Sequence, residues 1–190
     1  MKQYGSDDVS LSHKAIKDTA LIAICAAVLF VQQLALSVLP NIQFSTLLIV
    51  LYAKVLGFRR TTLIITIHII AYNLLSPFGS VLPTHIPFMY VAWMLIPISL
   101  STFLKKVNSS LGLALIGFFF GFVYGWMFIP PAVFITNAPF WTYLVMDLPF
   151  EMVMAVSNFI TIYWLFEPLK KVLTEQLMKF EGHEKNGGSL

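Results

Sequence analysis

The segment VMDLPFEMVMAVSN, residues 145–158, sets two acids and a carboxamide into an otherwise apolar run. Asp147, Glu151 and Asn158 are spaced by four and seven residues, so a helix places them on one face. Carboxylates are costly inside a bilayer and usually face the interior of a helix bundle or a cavity. We expect Asp147 to cap a helix that begins at Leu148, and Glu151 to contact a ligand or an outer loop.

Other candidate ligand contacts lie near the predicted ends of further apolar runs. Their side chains can hydrogen-bond or stack on a ring: Asn41, Gln43, Asn73, His85, Tyr90, Trp93 and Trp141. Asn41 also suits a plain turn, whereas turn chemistry alone does not require Gln43. Tyr90 and Trp93 share a helix face, where aromatic residues either anchor a helix at the lipid headgroups or offer a stacking surface. Trp141 admits the same two interpretations.

Motifs for catalysis are missing from this sequence. It contains no G-x-x-x-x-G-K-[ST] phosphate loop, no H-E-x-x-H zinc motif and no G-x-S-x-G nucleophile elbow. His68 and His85 alone make a poor metal site, and His68 is better explained as a core histidine. We therefore expect neither an enzyme nor a metal site, and no cofactor bound for catalysis.

Composition indicates an integral membrane protein. Hydrophobic residues make up 58% of the 190 residues and charged residues only 11%, whereas soluble domains carry about 25% charged residues. The basic residues flank apolar segments and are not interleaved with aromatics, so no nucleic-acid partner is expected. The single cysteine, Cys25, lies within an apolar run and is read as a packing residue.

The order of apolar segments predicts an all-α protein with six transmembrane helices and structured outer loops. Pro and Gly residues close the segments, at about 16–39, 44–56, 61–75, 87–104, 111–129 and 148–166. All twelve Lys and Arg residues fall in the two terminal regions and in the second and fourth connections, or at the segment edges next to them. The positive-inside rule then makes both termini cytoplasmic. We expect a cytoplasmic tail at 1–14, a membrane domain at 15–173 and a second cytoplasmic tail at 174–190.

The three connections without basic residues are rich in Pro, aromatic and amide side chains. They read LPNIQFST, LSPFGSVLPTHIPFMY and IPPAVFITNAPFWTYLVMD. Irregular backbone at membrane depth must be buried in protein or line a cavity. We therefore expect these loops to form a folded outer cap above the helices, with polar side chains directed inward.

Two stripes of small residues predict close helix contacts. Thr19, Ala23 and Ala27 are four residues apart in the first helix and offer either a docking face for a partner or a contact within the bundle. Gly117 and Gly125, with Gly121 between them, repeat this spacing in the fifth helix, where packing inside the bundle is the favoured interpretation.

Three stretches give the chain a resemblance to a known family. They are KDTALIAICAAVLF in the first helix, LPNIQFSTLLIVLYAKVLG in the first loop and second helix, and DLPFEMVMAVSNFITIYWLFEPLKKVL in the last helix. Their order and spacing, with six short helices and elaborate outer loops, resemble the S component of energy-coupling factor (ECF) vitamin transporters. The resemblance covers about residues 14–173.

The resemblance implies a substrate-binding subunit in the cell membrane of a prokaryote. Such a subunit captures a vitamin or related micronutrient from outside and docks on a transmembrane scaffold subunit with two cytoplasmic ATPases. The stripe Thr19, Ala23 and Ala27 would then be the docking face. The LPNIQ pattern is closest to the cobalamin branch and makes cobalamin the leading substrate. Two other functions stay open: a stand-alone carrier of small solutes and, less well supported, an intramembrane enzyme.

Overall fold

The computed structural model describes residues 3–39, 41–75 and 83–186. Within these ranges the protein is all-α, as predicted, with six α-helices: α1 (Gln3–Ala35), α2 (Ser45–Val55), α3 (Phe58–Leu75), α4 (Ile86–Ser101), α5 (Ser110–Thr136) and α6 (Phe140–Asn186). A 3₁₀ turn, Pro83–His85, leads into α4. The helices α1, α4, α5 and α6 contain stretches long and apolar enough to cross a membrane.

Helix α2 lies at the centre of the bundle and contacts each of the other five helices. All of its side chains from Ser45 to Tyr52 are buried. The helix is only 11 residues long, or about 17 Å at 1.5 Å per residue. A helix this short and this completely surrounded needs an apolar surface on all sides, which explains why its sequence shows no polar face.

The glycine stripe of α5 packs against α6, and this confirms the predicted packing role. A Cβ atom added at Gly121 would lie 2.7 Å from the backbone nitrogen and Cα of Ala155. A Cβ at Gly125 would lie 2.7 Å from Cγ of Glu151. Only residues without side chains allow the two helix backbones to approach this closely.

The third outer loop differs from the expectation. The prolines Pro130 and Pro131 were predicted to end the fifth helix, but α5 continues through both and ends at Thr136. Asn137 then adopts the left-handed conformation with φ 53°, and its N–H donates to the carbonyl of Val133. A proline removes only its own N–H from the helix ladder, and neighbouring helices compensate for such losses at membrane depth. The connection to α6 is therefore only three residues long, and the predicted irregular segment is mostly helix.

Asp147 is consequently not a helix cap, and that prediction was wrong. Helix α6 begins at Phe140, and the N–H of Tyr143 donates to the carbonyl of Pro139 at 3.1 Å in its first turn. Asp147 lies two turns inside the helix. Pro149 resembled a first-turn proline in the sequence, but it sits in the helix interior.

Helices α1 and α6 extend into the two predicted tails. Helix α6 has 47 residues and continues past Pro168, which was expected to end it. At 1.5 Å per residue it is about 70 Å long, more than twice the roughly 30 Å of a bilayer core. Helix α1 begins at Gln3, inside the predicted tail 1–14.

Basic residues from separate junctions meet at one end of the bundle, called the basic end below. Arg60 at the start of α3 donates from Nε to Asp18 Oδ1 of α1 at 2.6 Å. Lys54 at the end of α2 donates from Nζ to the carbonyl of Lys105 at 3.2 Å. The middle of α1 at Asp18, the turn between α2 and α3 and the turn after α4 therefore lie side by side. The chain passes Gly57 in this region with φ 83°.

Candidate functional site

A cavity of about 330 Å³ opens at the end of the bundle opposite the basic end. It lies between the last turn of α1, the first loop, α3, α4 and α5. The residues that line it and can hydrogen-bond or stack are Gln33, Ser37, Asn41, Gln43, Tyr72, Tyr124 and Phe128. The volume lies at the lower end of the roughly 300–1,000 Å³ that is common for ligand pockets.

Carboxamides form one side of this cavity. Gln33 Oε1 is buried and accepts no hydrogen bond from the described residues. Gln43 Oε1 accepts from the hydroxyl of Ser45 at 3.2 Å, so its NH₂ group is the part left to donate. Asn41 has φ 59° and donates from Nδ2 to the carbonyl of Phe150 in α6 at 3.2 Å. Asn41 therefore has both predicted roles: it forms part of the turn and it lines the cavity.

Gln32 holds the first loop against the end of α1. Its Oε1 accepts from the N–H of Phe44 at 2.9 Å, and its Nε2 donates to the hydroxyl of Ser45 at 2.7 Å and to the carbonyl of Leu29 at 2.9 Å. One side chain therefore satisfies groups at the N-terminus of α2, where the first N–H groups have no helical partner.

Aromatic rings of α5 form the opposite side of the cavity. The ring centroids of Tyr124 and Phe128 are 5.1 Å apart, as expected for residues one helical turn apart. Trp93 of α4 packs behind Tyr124 with centroids 4.7 Å apart. His85 stacks on Phe128 with an interplanar angle of 18° and a centroid distance of 5.7 Å. This arrangement is a continuous aromatic wall that fixes the orientation of the two rings lining the cavity.

Several predicted contacts lie beside the cavity. Trp93 is 1% exposed and supports the wall from behind, so it is neither a headgroup anchor nor a direct lining residue. Tyr90 pairs its hydroxyl with that of Thr66 at 3.2 Å. Asn73 donates to the carbonyl of Ile69 at 2.8 Å, while its Oδ1 is buried without a partner among the described residues. His85 and Asn73 therefore border the cavity through their neighbours Phe128 and Met89.

Trp141 is not brought to the cavity. It lies in the first turn of α6 with 73% of its surface exposed, and it contacts the ring of Phe140 edge-on. Of its two interpretations, this position favours the anchor at the lipid headgroups. Residues 76–82 of the second predicted loop lie outside the described ranges.

Glu151 and Asn158 face α5 and not the cavity, which corrects their expected position. Each is 1% exposed. Asn158 donates from Nδ2 to the carbonyl of Gly117 at 3.1 Å and so joins the two helices. The Glu151 carboxyl group packs against Gly125, and neither of its oxygens accepts a hydrogen bond from a residue in the described ranges.

The small residues of α1 face away from the bundle. Thr19, Ala23 and Ala27 are exposed, whereas Cys25 and Leu29 on the other face are buried. Thr19 uses its hydroxyl within the helix, donating to the carbonyl of Ala15 at 2.9 Å. Of the two interpretations of this stripe, packing inside the bundle does not occur here.

A second, larger groove of about 480 Å³ runs along the outside of α6. Its surface is almost entirely apolar and comes from side chains such as Met152, Val156 and Ile160. It offers a ligand almost no hydrogen-bonding partner, so a lipid chain would fill it without specificity. The described residues also contain no group of three His, Cys, Asp or Glu side chains that could hold a metal ion.

Sequence reasoning missed Gln33, Tyr72, Tyr124 and Phe128. The pair Gln32-Gln33 was a detectable signal, because adjacent amides near the end of an apolar helix must find partners or a polar space. The rings of α5 gave no separate signal, since aromatic residues recur throughout its central part, from Phe118 to Phe128. Comparison with known proteins adds no assignment: no family model, no curated protein and no solved structure matches the chain.

Proposed function

We propose that the chain is the substrate-binding membrane subunit of an ECF-type importer. The observation that supports this most is the cavity at the end opposite the basic end, since by the positive-inside rule the basic end faces the cytoplasm. In this proposal the six helices cross the cell membrane of a prokaryote, both termini are cytoplasmic and the cavity opens outward. The protein binds its ligand and performs no covalent chemistry.

The proposed substrate is a vitamin or related micronutrient smaller than cobalamin. The LPNIQ pattern favours the cobalamin branch, but a corrin ring with its nucleotide tail is several times larger than a space of about 330 Å³. A ligand that fills the cavity would touch α1, α3, α4, α5 and the first loop at once. Its binding would stabilise one arrangement of these elements, which is the condition for coupling occupancy to docking.

The proposed partners are a transmembrane scaffold subunit and two cytoplasmic ATPase subunits. The outward-facing stripe of Thr19, Ala23 and Ala27 supports this assignment, because small side chains allow a partner helix to approach closely within the membrane. ATP hydrolysis would belong to the ATPase subunits, in keeping with a sequence that has no phosphate loop.

Coexpression with such a scaffold and its ATPases tests the proposal. We expect the tagged chain to copurify with all three partners, Ala23→Leu to lose them, and Ala23→Ser to retain them because serine stays small. The three forms should melt at similar temperatures, since position 23 is exposed. A stable chain that copurifies with none of the partners would refute the importer assignment.

A stand-alone secondary carrier is the second candidate, and Glu151 is the observation that favours it. Buried acids without partners in membrane helices commonly take part in proton relays. Uptake of ligand by the chain alone in liposomes, driven by a proton gradient and abolished in Glu151→Gln, would establish the carrier. ATP-dependent uptake that needs the ATPase subunits would exclude it.

A further inference from the structure

The cavity has no charged side chain in its lining. All the described lining residues are carboxamide, hydroxyl, thioether, aromatic or aliphatic. The sequence of residues 76–82, SPFGSVL, contains no ionisable side chain, and neither does Pro40. An ion that leaves water for such a space loses several kcal/mol of hydration with no opposite charge to compensate it. The lining therefore offers an ionised ligand no ion pair.

Two carboxamides, Gln33 and Gln43, line the cavity, and each carries both a donor and an acceptor. Gln33 Oε1 is a buried acceptor without a partner in the described part of the chain. Gln43 keeps its NH₂ group for donation, because its oxygen already accepts from Ser45. A ligand that presents an N–H next to a carbonyl matches the two carboxamides, whereas a hydrocarbon leaves their hydrogen-bonding groups unpaired.

The aromatic wall sets the shape of the ligand. Tyr124 and Phe128 stand side by side, and Trp93 and His85 pack against them, so their rings cannot easily rotate away. Flat rings stack favourably on such surfaces in offset geometry. Between this wall and the carboxamides the volume is about 330 Å³, which admits one or two fused rings.

We propose that the ligand is an uncharged planar heterocycle with an adjacent donor and acceptor, such as a ring lactam, a ureide or an aryl carboxamide. It stacks on Tyr124 and Phe128 and directs its polar edge to Gln33 and Gln43. This inference rests on the proposed function for its biological setting, but it concerns only the chain's own cavity and is testable without the partners.

Matched neutral and ionised probes test the inference on the purified full chain in lipid nanodiscs. The probe pairs are nicotinamide with nicotinate and uracil with orotate, in which a carboxylate replaces a carboxamide or is added to the ring. We expect calorimetry to show binding of at least one neutral member, with its carboxylate partner weaker by about tenfold or more. Binding of neither neutral member, or equal binding of the carboxylates, would overturn the inference.

Two variants and a control locate the binding. Gln33→Leu removes the acceptor at similar volume and should weaken the neutral probe by about tenfold. Phe128→Leu should weaken it by a similar factor through loss of stacking. Phe134→Leu on the same helix is the control, because Phe134 is 83% exposed and does not line the cavity. Equal affinities in all three variants would place the probe elsewhere and refute the site.

The outcome for the ligand is separable from that for the importer. A preference for neutral rings without copurifying partners would keep this inference and remove the ECF assignment. If the complex copurified but the cavity preferred ionised ligands, the ECF assignment would stand and the inference about the ligand would be refuted.

Discussion

Substitution of Gly121 by alanine tests the contact between α5 and α6 most directly. The new Cβ would lie 2.7 Å from the backbone nitrogen and Cα of Ala155, where ordinary contacts begin at 3.4 Å. These backbone atoms cannot rotate aside, so the helices must separate by most of an ångström. Overpacking of this kind costs about 1–3 kcal/mol, and the backbone contact places Gly121→Ala at about 2–3 kcal/mol.

Helix propensity offsets part of that cost. Alanine is more favourable than glycine in a helix interior by about 1 kcal/mol, which leaves a net destabilisation of about 1–2 kcal/mol. For a chain of this length the melting temperature should fall by about 2–8 °C. Because α5 also carries Tyr124 and Phe128, the same displacement should weaken ligand binding.

The assay can use the chain's own thiol. Cys25 is the only cysteine and is 4% exposed, so a thiol-reactive fluorophore labels it only as the protein unfolds. Gly117→Ala is the matched control in the same stripe, because the one close contact of its Cβ would be the terminal methyl group of Ile162, which can rotate, while Asn158 lies at ordinary contact distance. We expect Gly117→Ala to melt at or slightly above the parent temperature. The packing argument would be refuted if Gly121→Ala melted at the temperature of the parent, or no lower than Gly117→Ala.

Three further outcomes follow from the same contacts. Glu151→Gln should melt no lower than the parent, because a carboxamide of the same shape buries no charge; a large loss of stability would reveal a partner for the carboxylate. Asn41→Gly should keep the loop conformation and lose only the bond to α6, whereas Asn41→Val should lower the melting temperature further, since a β-branched residue strongly disfavours positive φ. Asp18→Asn should cost only about 0.2–1 kcal/mol by chemical denaturation, because its pair with Arg60 is partly exposed; a cost of several kcal/mol would contradict this.

The helices were predictable where an apolar run was closed by a residue that does end the helix. Helix α2 was expected at 44–56 and occurs at Ser45–Val55, because Gly57 ends it in a conformation that favours glycine. Proline was the misleading signal. Pro130 and Pro168 predict helix ends, but α5 and α6 continue through them. For Pro130 the reason is its apolar setting, where helical backbone is strongly favoured.

The site was predictable only in its first loop. Asn41 and Gln43 follow the helix break at Pro40, and turn chemistry explains Asn41 but does not require Gln43. Glu151 shares a helix face with Asn158, as the spacing required, but spacing cannot say which neighbour that face meets. Here the neighbour is the glycine stripe of α5, and a single sequence contains no record of which helices pair.

In the topology proposed above, the 47-residue helix α6 reaches from the outer side of the membrane into the cytoplasm. Its outer part is tied to the first loop by the bond from Asn41 to Phe150, and its far end lies beyond the basic end. For a rod of about 70 Å, a tilt of only about 5° moves the far end by about 6 Å. In that proposed topology, a small adjustment of the loop around a ligand would displace the cytoplasmic end of α6 far enough for a soluble protein to sense.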